Sequence, residues 1–215
     1  MPVAATSARR SRRGPKGPPR GLRSRSWRSV EFASLDFETT GLDYGRDAVV
    51  SFGVVPIRGG RVVLAEAVHQ LVVPEIPSSP TSMKIHRILP QDLADAEPLE
   101  IARERLRAAL DGRFLLAWYA EVEIAFLVRM FGGRAGPWRR RTVDARKLAI
   151  AVEGAHPDVR YSLTSVAKRY GVPVANPHEA LDDALVTAQL FLVLASRLER
   201  GGRGAARTLL HLTHA

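Results

Sequence analysis

Ser34-Leu35-Asp36-Phe37-Glu38-Thr39-Thr40-Gly41 decides how the rest of this chain is read. Phe32, Leu35 and Phe37 have the apolar character of a buried strand, yet two acids interrupt the run. Residues i and i+2 of a strand point to one face, so Asp36 and Glu38 project together. Like charges that close must share protons or cations. Oxygen-only ligands suit Mg²⁺ or Mn²⁺ rather than zinc, which usually recruits His or Cys. Thr39, Thr40 and Gly41 end the strand, and the glycine leaves room for a substrate backbone to approach. The plainer reading of the same residues is a strand end carrying two solvated acids.

The 215 residues, 46% of them hydrophobic, suffice for one domain with a substantial core. The absence of cysteine excludes disulfides, thiolate chemistry and a Cys-containing zinc site. No apolar run reaches the roughly 18 to 20 residues of a membrane span, and the first residues lack the apolar core expected of a secretory signal. A soluble, cytoplasmic protein is expected, without membrane association. The net charge of +10 is uneven: residues 1–29 hold nine of the 32 basic side chains and none of the 22 acids. Residues 1–29, rich in Pro, Gly and Ser, are therefore expected to be a disordered basic tail. Such an arm binds phosphates without sequence preference; an unselected extension and, more weakly, an organelle transit peptide are the other readings.

The expected domain runs from 30 to 200. Ala48–Ile57 and Arg61–Val73 read as β-strands joined through Arg58-Gly59-Gly60. Thr81–Ile88 reads as a short helix carrying His86, to which no chemistry is assigned. Leu99–Leu110 is an amphipathic helix, Phe114–Trp118 a buried strand and Val122–Phe131 a helix. Gly132–Arg141 reads as a basic loop before a short strand, Thr142–Asp144, and the helix Ala145–Val152. Helices over Ser162–Tyr170 and Glu179–Leu198 follow. The extension 201–215 is expected to fray or dock weakly. Strands alternating with helices after an initial sheet indicate an α/β layer fold.

Asn176-Pro177-His178-Glu179-Ala180-Leu181-Asp182-Asp183 supplies a second chemical run. His178 falls in the loop entering the last long helix and Asp183 about a turn inside it. An imidazole of ordinary pKa near ~6.5 can deprotonate water, and a rigid carboxylate can hold a metal. Alternatively His178 caps the helix and Asp182 and Asp183 complement its dipole.

Leu-Asp-Phe-Glu-Thr-Thr-Gly and His-x-x-x-x-Asp, about 140 residues apart, together resemble the DEDDh 3′ to 5′ exonucleases. That is the family of the proofreading epsilon subunit of bacterial DNA polymerase III. The resemblance spans about residues 31–198 and takes in Ile85-His86 and the Tyr161-Ser162-Leu163 to Val172 segment. It implies an RNase H-like fold, a mixed five-stranded sheet with helices on both faces. It also implies hydrolysis with two Mg²⁺ (or Mn²⁺) ions. Asp36, Glu38 and Asp183 would bind metal, and His178 would be the general base. The substrate would be a nucleic acid with a 3′ end, and a DNA polymerase subunit is the implied protein partner.

The middle motif departs from the family. Trp118 and Tyr119 stand where a His-Asn pair is usual, and Glu123 where an Asp belongs; Glu121 is the fallback carboxylate. Glu123 is assigned as the remaining metal ligand. Thr39, Thr40, Gly41, Trp118 and Tyr119 are the candidate substrate contacts, the aromatics by stacking on a base. Two other readings stand beside the DNA exonuclease: a binding module of the same fold that has lost turnover, and an RNA-trimming oligoribonuclease-like enzyme.

Overall fold

The computed structural model describes Lys16, residues 25–154 and residues 161–214. The proposed disorder of residues 1–15 and 17–24 lies outside the described residues. The strands are β1 (Phe32–Thr39), β2 (Val49–Arg58), β3 (Arg61–Val62), β4 (Val68–Leu71), β5 (Phe114–Ala117) and β6 (Thr142–Asp144). The helices are α1 (Pro80–His86), α2 (Leu99–Leu110), α3 (Ala120–Phe131), α4 (Ala135–Arg139), α5 (Ala145–Glu153), α6 (Leu163–Arg169), α7 (Ala180–Arg200) and α8 (Ala206–His214).

The strands form one mixed sheet in the order β3-β2-β1-β5-β6, with β4 also paired to β2. β1 lies at its centre, antiparallel to β2 and parallel to β5, which is parallel to β6. Alternation along β1 assigns its two faces. Ala33, Leu35 and Phe37 pack in one core with residues of α2 and α3. Phe32 packs in the other, with residues of α5, α6, α7 and α8. Ser34, Asp36 and Glu38 share the face of Phe32, so the acids look toward the α7 layer.

Among the described residues the sheet has six strands rather than five, because the single strand expected over Arg61–Val73 is broken. A 3₁₀ turn, Leu64–Glu66, separates β3 from β4. At that turn the Glu66 carboxylate accepts from Arg58 (2.8 and 3.0 Å) and from Arg113 (3.1 Å). This polar cluster draws the segment out of the ladder. The expected basic loop before β6 contains α4, anchored by buried Trp138, whose carbonyl accepts from Thr142 Oγ1 at 2.8 Å.

Both domain boundaries differ from expectation. Trp27 is 0% exposed, stacks edge-on against Phe191 at 5.6 Å, and donates its backbone N–H to Gly204 O at 3.1 Å. The C-terminal segment is helical and docked. Its helix α8 buries Leu209 completely among residues of the α7 layer, and Ala206 N donates to Arg25 O at 3.0 Å. Each end packs against the other. Removing a buried Trp side chain costs about 3–5 kcal/mol, which makes the turn around Trp27 part of the domain.

Candidate active site

Asp36, Glu38 and Asp183 each present a carboxylate oxygen, and the three oxygens lie within 4.8 Å of one another. Two come from β1 by strand periodicity. The third depends on how closely α7 approaches the sheet. Asp36 pairs across the ladder with Gly53 of β2. A Cβ at Gly53 would sit 2.3 Å from the Ala180 carbonyl oxygen and 2.4 Å from Leu181 Cα. The first turn of α7 therefore rests on a strand position that has no side chain, beside Asp36.

The loop before α7 separates its two neighbouring acids. Asp182 accepts from Asn176 N at 3.1 Å and Nδ2 at 2.7 Å, so its carboxylate serves the loop. Asp183 accepts from the backbone N–H of His178 at 3.1 Å. His178 sits in a turn with φ of 65°, in the left-handed region that non-glycine residues seldom adopt. Its side chain is exposed beside the acids rather than locked into the core. A fixed carboxylate and an accessible imidazole thus stand five residues apart.

The acids raise one another's pKa values. Burial is the first cause at Asp36, pushing its carboxyl well above the usual range, and Glu123, Glu38 and Asp183 add to it. Burial and then Asp183 push Glu38 up to about 8. Burial also raises Asp183, while the His178 N–H opposes it. Glu123 is pushed up to about 8, first by burial, with Asp144 and Glu38 adding to it against an opposing hydrogen bond from its own backbone. The folded values exceed the unfolded ones, near ~4. The protonated acids therefore stabilise the metal-free protein fully below about pH 4, and that stability is lost as pH rises through about 8. Thermal unfolding without metal should show Tm falling by about 5 °C or more between pH 5 and pH 9. Added Mn²⁺ should raise Tm more at pH 9 than at pH 5. A metal-free Tm that climbs across this interval contradicts the assignment.

Glu123 is buried, and its Oε2 has no hydrogen-bond partner. It acts on Asp36 electrostatically but stands outside the three-oxygen cluster. Glu121 is not a substitute: it is exposed and paired with Arg139 at 2.6 Å.

The candidate substrate contacts divide. Thr39 Oγ1 donates to Gly41 O at 2.7 Å. Thr40 is buried and donates to Asp47 Oδ1 at 2.8 Å while accepting from Ala48 N at 3.0 Å, so its hydroxyl holds the β1–β2 loop. A Cβ on Gly41 would lie 2.3 Å from Asp47 Oδ2; the glycine makes way for this carboxylate. Trp118 is 6% exposed and packed in the α7-side core, which removes its ring from stacking on a base. Tyr119 is 49% exposed.

Two positions escape a reading of motifs. Gly53 is one; its only sequence signal is a glycine inside a β-branched run. Asp144 is the other. It accepts from Lys147 N at 2.8 Å and from Ala120 N at 3.1 Å, joining the starts of α3 and α5 behind Glu123. A strand-ending acid that caps a helix is its sequence signal.

Known proteins share this architecture. A chain 33% identical over 172 residues is the DNA polymerase III PolC-type protein of Thermotoga maritima, with 80% of this chain and 12% of that protein aligned. The DNA polymerase III subunit epsilon-like protein of Rhodobacter capsulatus is 30% identical over 176 residues, 80% of this chain and 25% of that protein. The chain thus spans an eighth to a quarter of the length of these relatives. Exonuclease X, solved in complex with 5′ overhanging duplex DNA, superposes with a TM-score of 0.64 at 25% identity, covering 85% of this chain and 99% of that one. E. coli Exonuclease I, solved with a dT13 oligonucleotide, shares the fold with a TM-score of 0.68 at 18% identity, over 80% of this chain and 42% of that one. The RNase_T exonuclease profile matches residues 34–191, the span from β1 into α7 that carries every acid of the cluster, and the chain belongs to that exonuclease family.

Proposed function

We propose that this chain is a 3′ to 5′ exonuclease that hydrolyses the terminal phosphodiester of a DNA strand, single-stranded or frayed, to nucleoside 5′-monophosphates. The observation that carries the reading is the convergence of Asp36, Glu38 and Asp183 within 4.8 Å beside an exposed histidine. The donor set is all oxygen, the chemistry that Mg²⁺ or Mn²⁺ prefers. Two such ions, held by Asp36, Glu38 and Asp183 with Glu123 behind them, would neutralise charge on the attacking and leaving oxygens. His178 takes a proton from water on an imidazole nitrogen as the water oxygen bonds to phosphorus. The bond to the 3′ oxygen then breaks, and that oxygen takes a proton from solvent water. Proofreading or repair trimming is the setting that follows, in the cytoplasm where the substrate lies, with a DNA polymerase as the candidate protein partner. Among the described residues no helix is long and apolar enough to cross a membrane.

The test is a 5′-labelled oligonucleotide incubated with and without Mg²⁺ or Mn²⁺, with matched DNA and RNA strands. The proposal expects ladders shortened from the 3′ end only when metal is added, and faster on DNA. Faster RNA cleavage supports the oligoribonuclease-like reading, and binding without products supports the inactive module. The unpartnered Oε2 of Glu123 favours a working enzyme over that module. Glu123→Gln should raise the metal concentration for half-maximal rate by about 10–100-fold. An unchanged metal requirement would remove Glu123 from the site.

A further inference from the structure

We propose that Arg146, stacked on Tyr119, forms a subsite for a backbone phosphate of the nucleic-acid strand, upstream of the bond that is cut; this rests on the exonuclease reading above. β1, β5 and β6 are parallel, so their C-terminal ends open at one end of the sheet, where ligands of such sheets bind. There β1 delivers Glu38, β5 runs out into Tyr119, and β6 runs out through Asp144 into Arg146. The hydrogen bond from Ala120 N to Asp144 Oδ2, 3.1 Å, ties the last two exits together.

The guanidinium carbon of Arg146 lies 4.9 Å from the centroid of the Tyr119 ring. Tyr119 keeps 49% of its surface exposed. Arg146 Nε is buried and has no hydrogen-bond partner. Asp144, an acid on which Arg146 acts, already accepts from two backbone donors. Elsewhere on the surface Arg139 pairs with Glu121 at 2.6 Å and Arg129 with Glu75 at 3.1 Å. Arg146 is a planar cation held over the Tyr119 ring. That geometry suits a phosphate oxygen of a flexible strand. Tyr119 adds an aromatic surface of the kind on which bases of single strands stack. Tyr119 stands in the segment where this chain departs from the His-Asn of its family, so the departure relocates strand contact rather than deleting it.

The experiment compares two substrates of the full chain with Mn²⁺: a short fluorescent oligodeoxythymidylate, and the p-nitrophenyl ester of thymidine 5′-monophosphate, which has no upstream phosphate. Arg146→Ala should raise KM for the oligonucleotide about tenfold with kcat unchanged, and leave hydrolysis of the ester as it was. Fluorescence anisotropy without metal should show the slope of log affinity against log salt reduced by about 0.7. Arg146→Lys should restore that slope and only part of the KM, because it keeps the charge but loses the planar fork. Equal damage to both substrates, or an unchanged salt slope, overturns the subsite. If the unmutated chain cleaves neither substrate, the exonuclease reading fails, and the salt slope alone decides the subsite.

Discussion

Asp36→Asn should reduce hydrolysis of a 3′ end by about 10³-fold or more while making the metal-free protein more stable. Asp36 sits at the middle of the cluster. Burial raises its pKa first, and Glu123, Glu38 and Asp183 each raise it further. An amide of the same shape removes one participant from this repulsion. At pH 8 the metal-free Tm should therefore rise by the equivalent of about 1–2 kcal/mol, and the gain in Tm on adding Mn²⁺ should disappear. Loss of activity with gain of stability separates a functional acid from a structural one. A variant that keeps its activity, or melts earlier than the parent without metal, would falsify this role for Asp36.

Gly53→Ala is the second substitution with a large expected effect, although residue 53 touches neither metal nor substrate in this account. The new methyl would fall 2.3 Å from Ala180 O and 2.4 Å from Ala180 C and Leu181 Cα. All three are backbone atoms, so no side chain can swing aside and the start of α7 must lift from the sheet. Asp183 moves with it. A displacement near 1 Å at a catalytic group costs about 10²-fold in rate, and the overpacking itself about 1–3 kcal/mol. Val54→Ala is the control, since Val54 is fully buried in the opposite core. It should destabilise the chain comparably and keep kcat within a few-fold. Equal activity in the two variants would show that Gly53 matters only for stability.

The candidate cluster is legible in the sequence where its residues are local. Two acids spaced by two in a strand-like run place themselves on one face, and the periodicity of α7 is visible over its whole length. Asp182 and Asp183 are adjacent and identical in type, and periodicity does not choose between them. The choice is made by Asn176, whose backbone and side-chain N–H groups claim Asp182. Gly53 depends on the register that sets it opposite Asp36 and on a helix more than a hundred residues later. Long-range pairing of that kind leaves no pattern in a sequence window.

The fold shows the same division. β1, β2 and α2 follow their apolar patterns closely. α8 does not advertise itself, because its sequence is short and rich in small and basic residues, and it is held by contact with the turn around Trp27 at the other end of the chain. The break between β3 and β4, Leu64–Glu66, lies between valine-rich stretches, and Glu66 there pairs with Arg58 of β2 and with Arg113 just before β5. Trp118 illustrates a further limit. An aromatic at the end of a strand suits either a stacking platform or a core, and only the packing of Trp118 among the α7-side residues assigns it to the core.

The most direct measurement is anomalous diffraction from crystals of the full chain soaked with Mn²⁺ and a nucleoside 5′-monophosphate. The account expects a manganese peak bounded by the carboxylates of Asp36, Glu38 and Asp183, with the phosphate beside it and the His178 ring within reach of the phosphate. Clear density for the three acids with no anomalous signal among them, at saturating Mn²⁺, contradicts the metal site and with it the proposed hydrolysis.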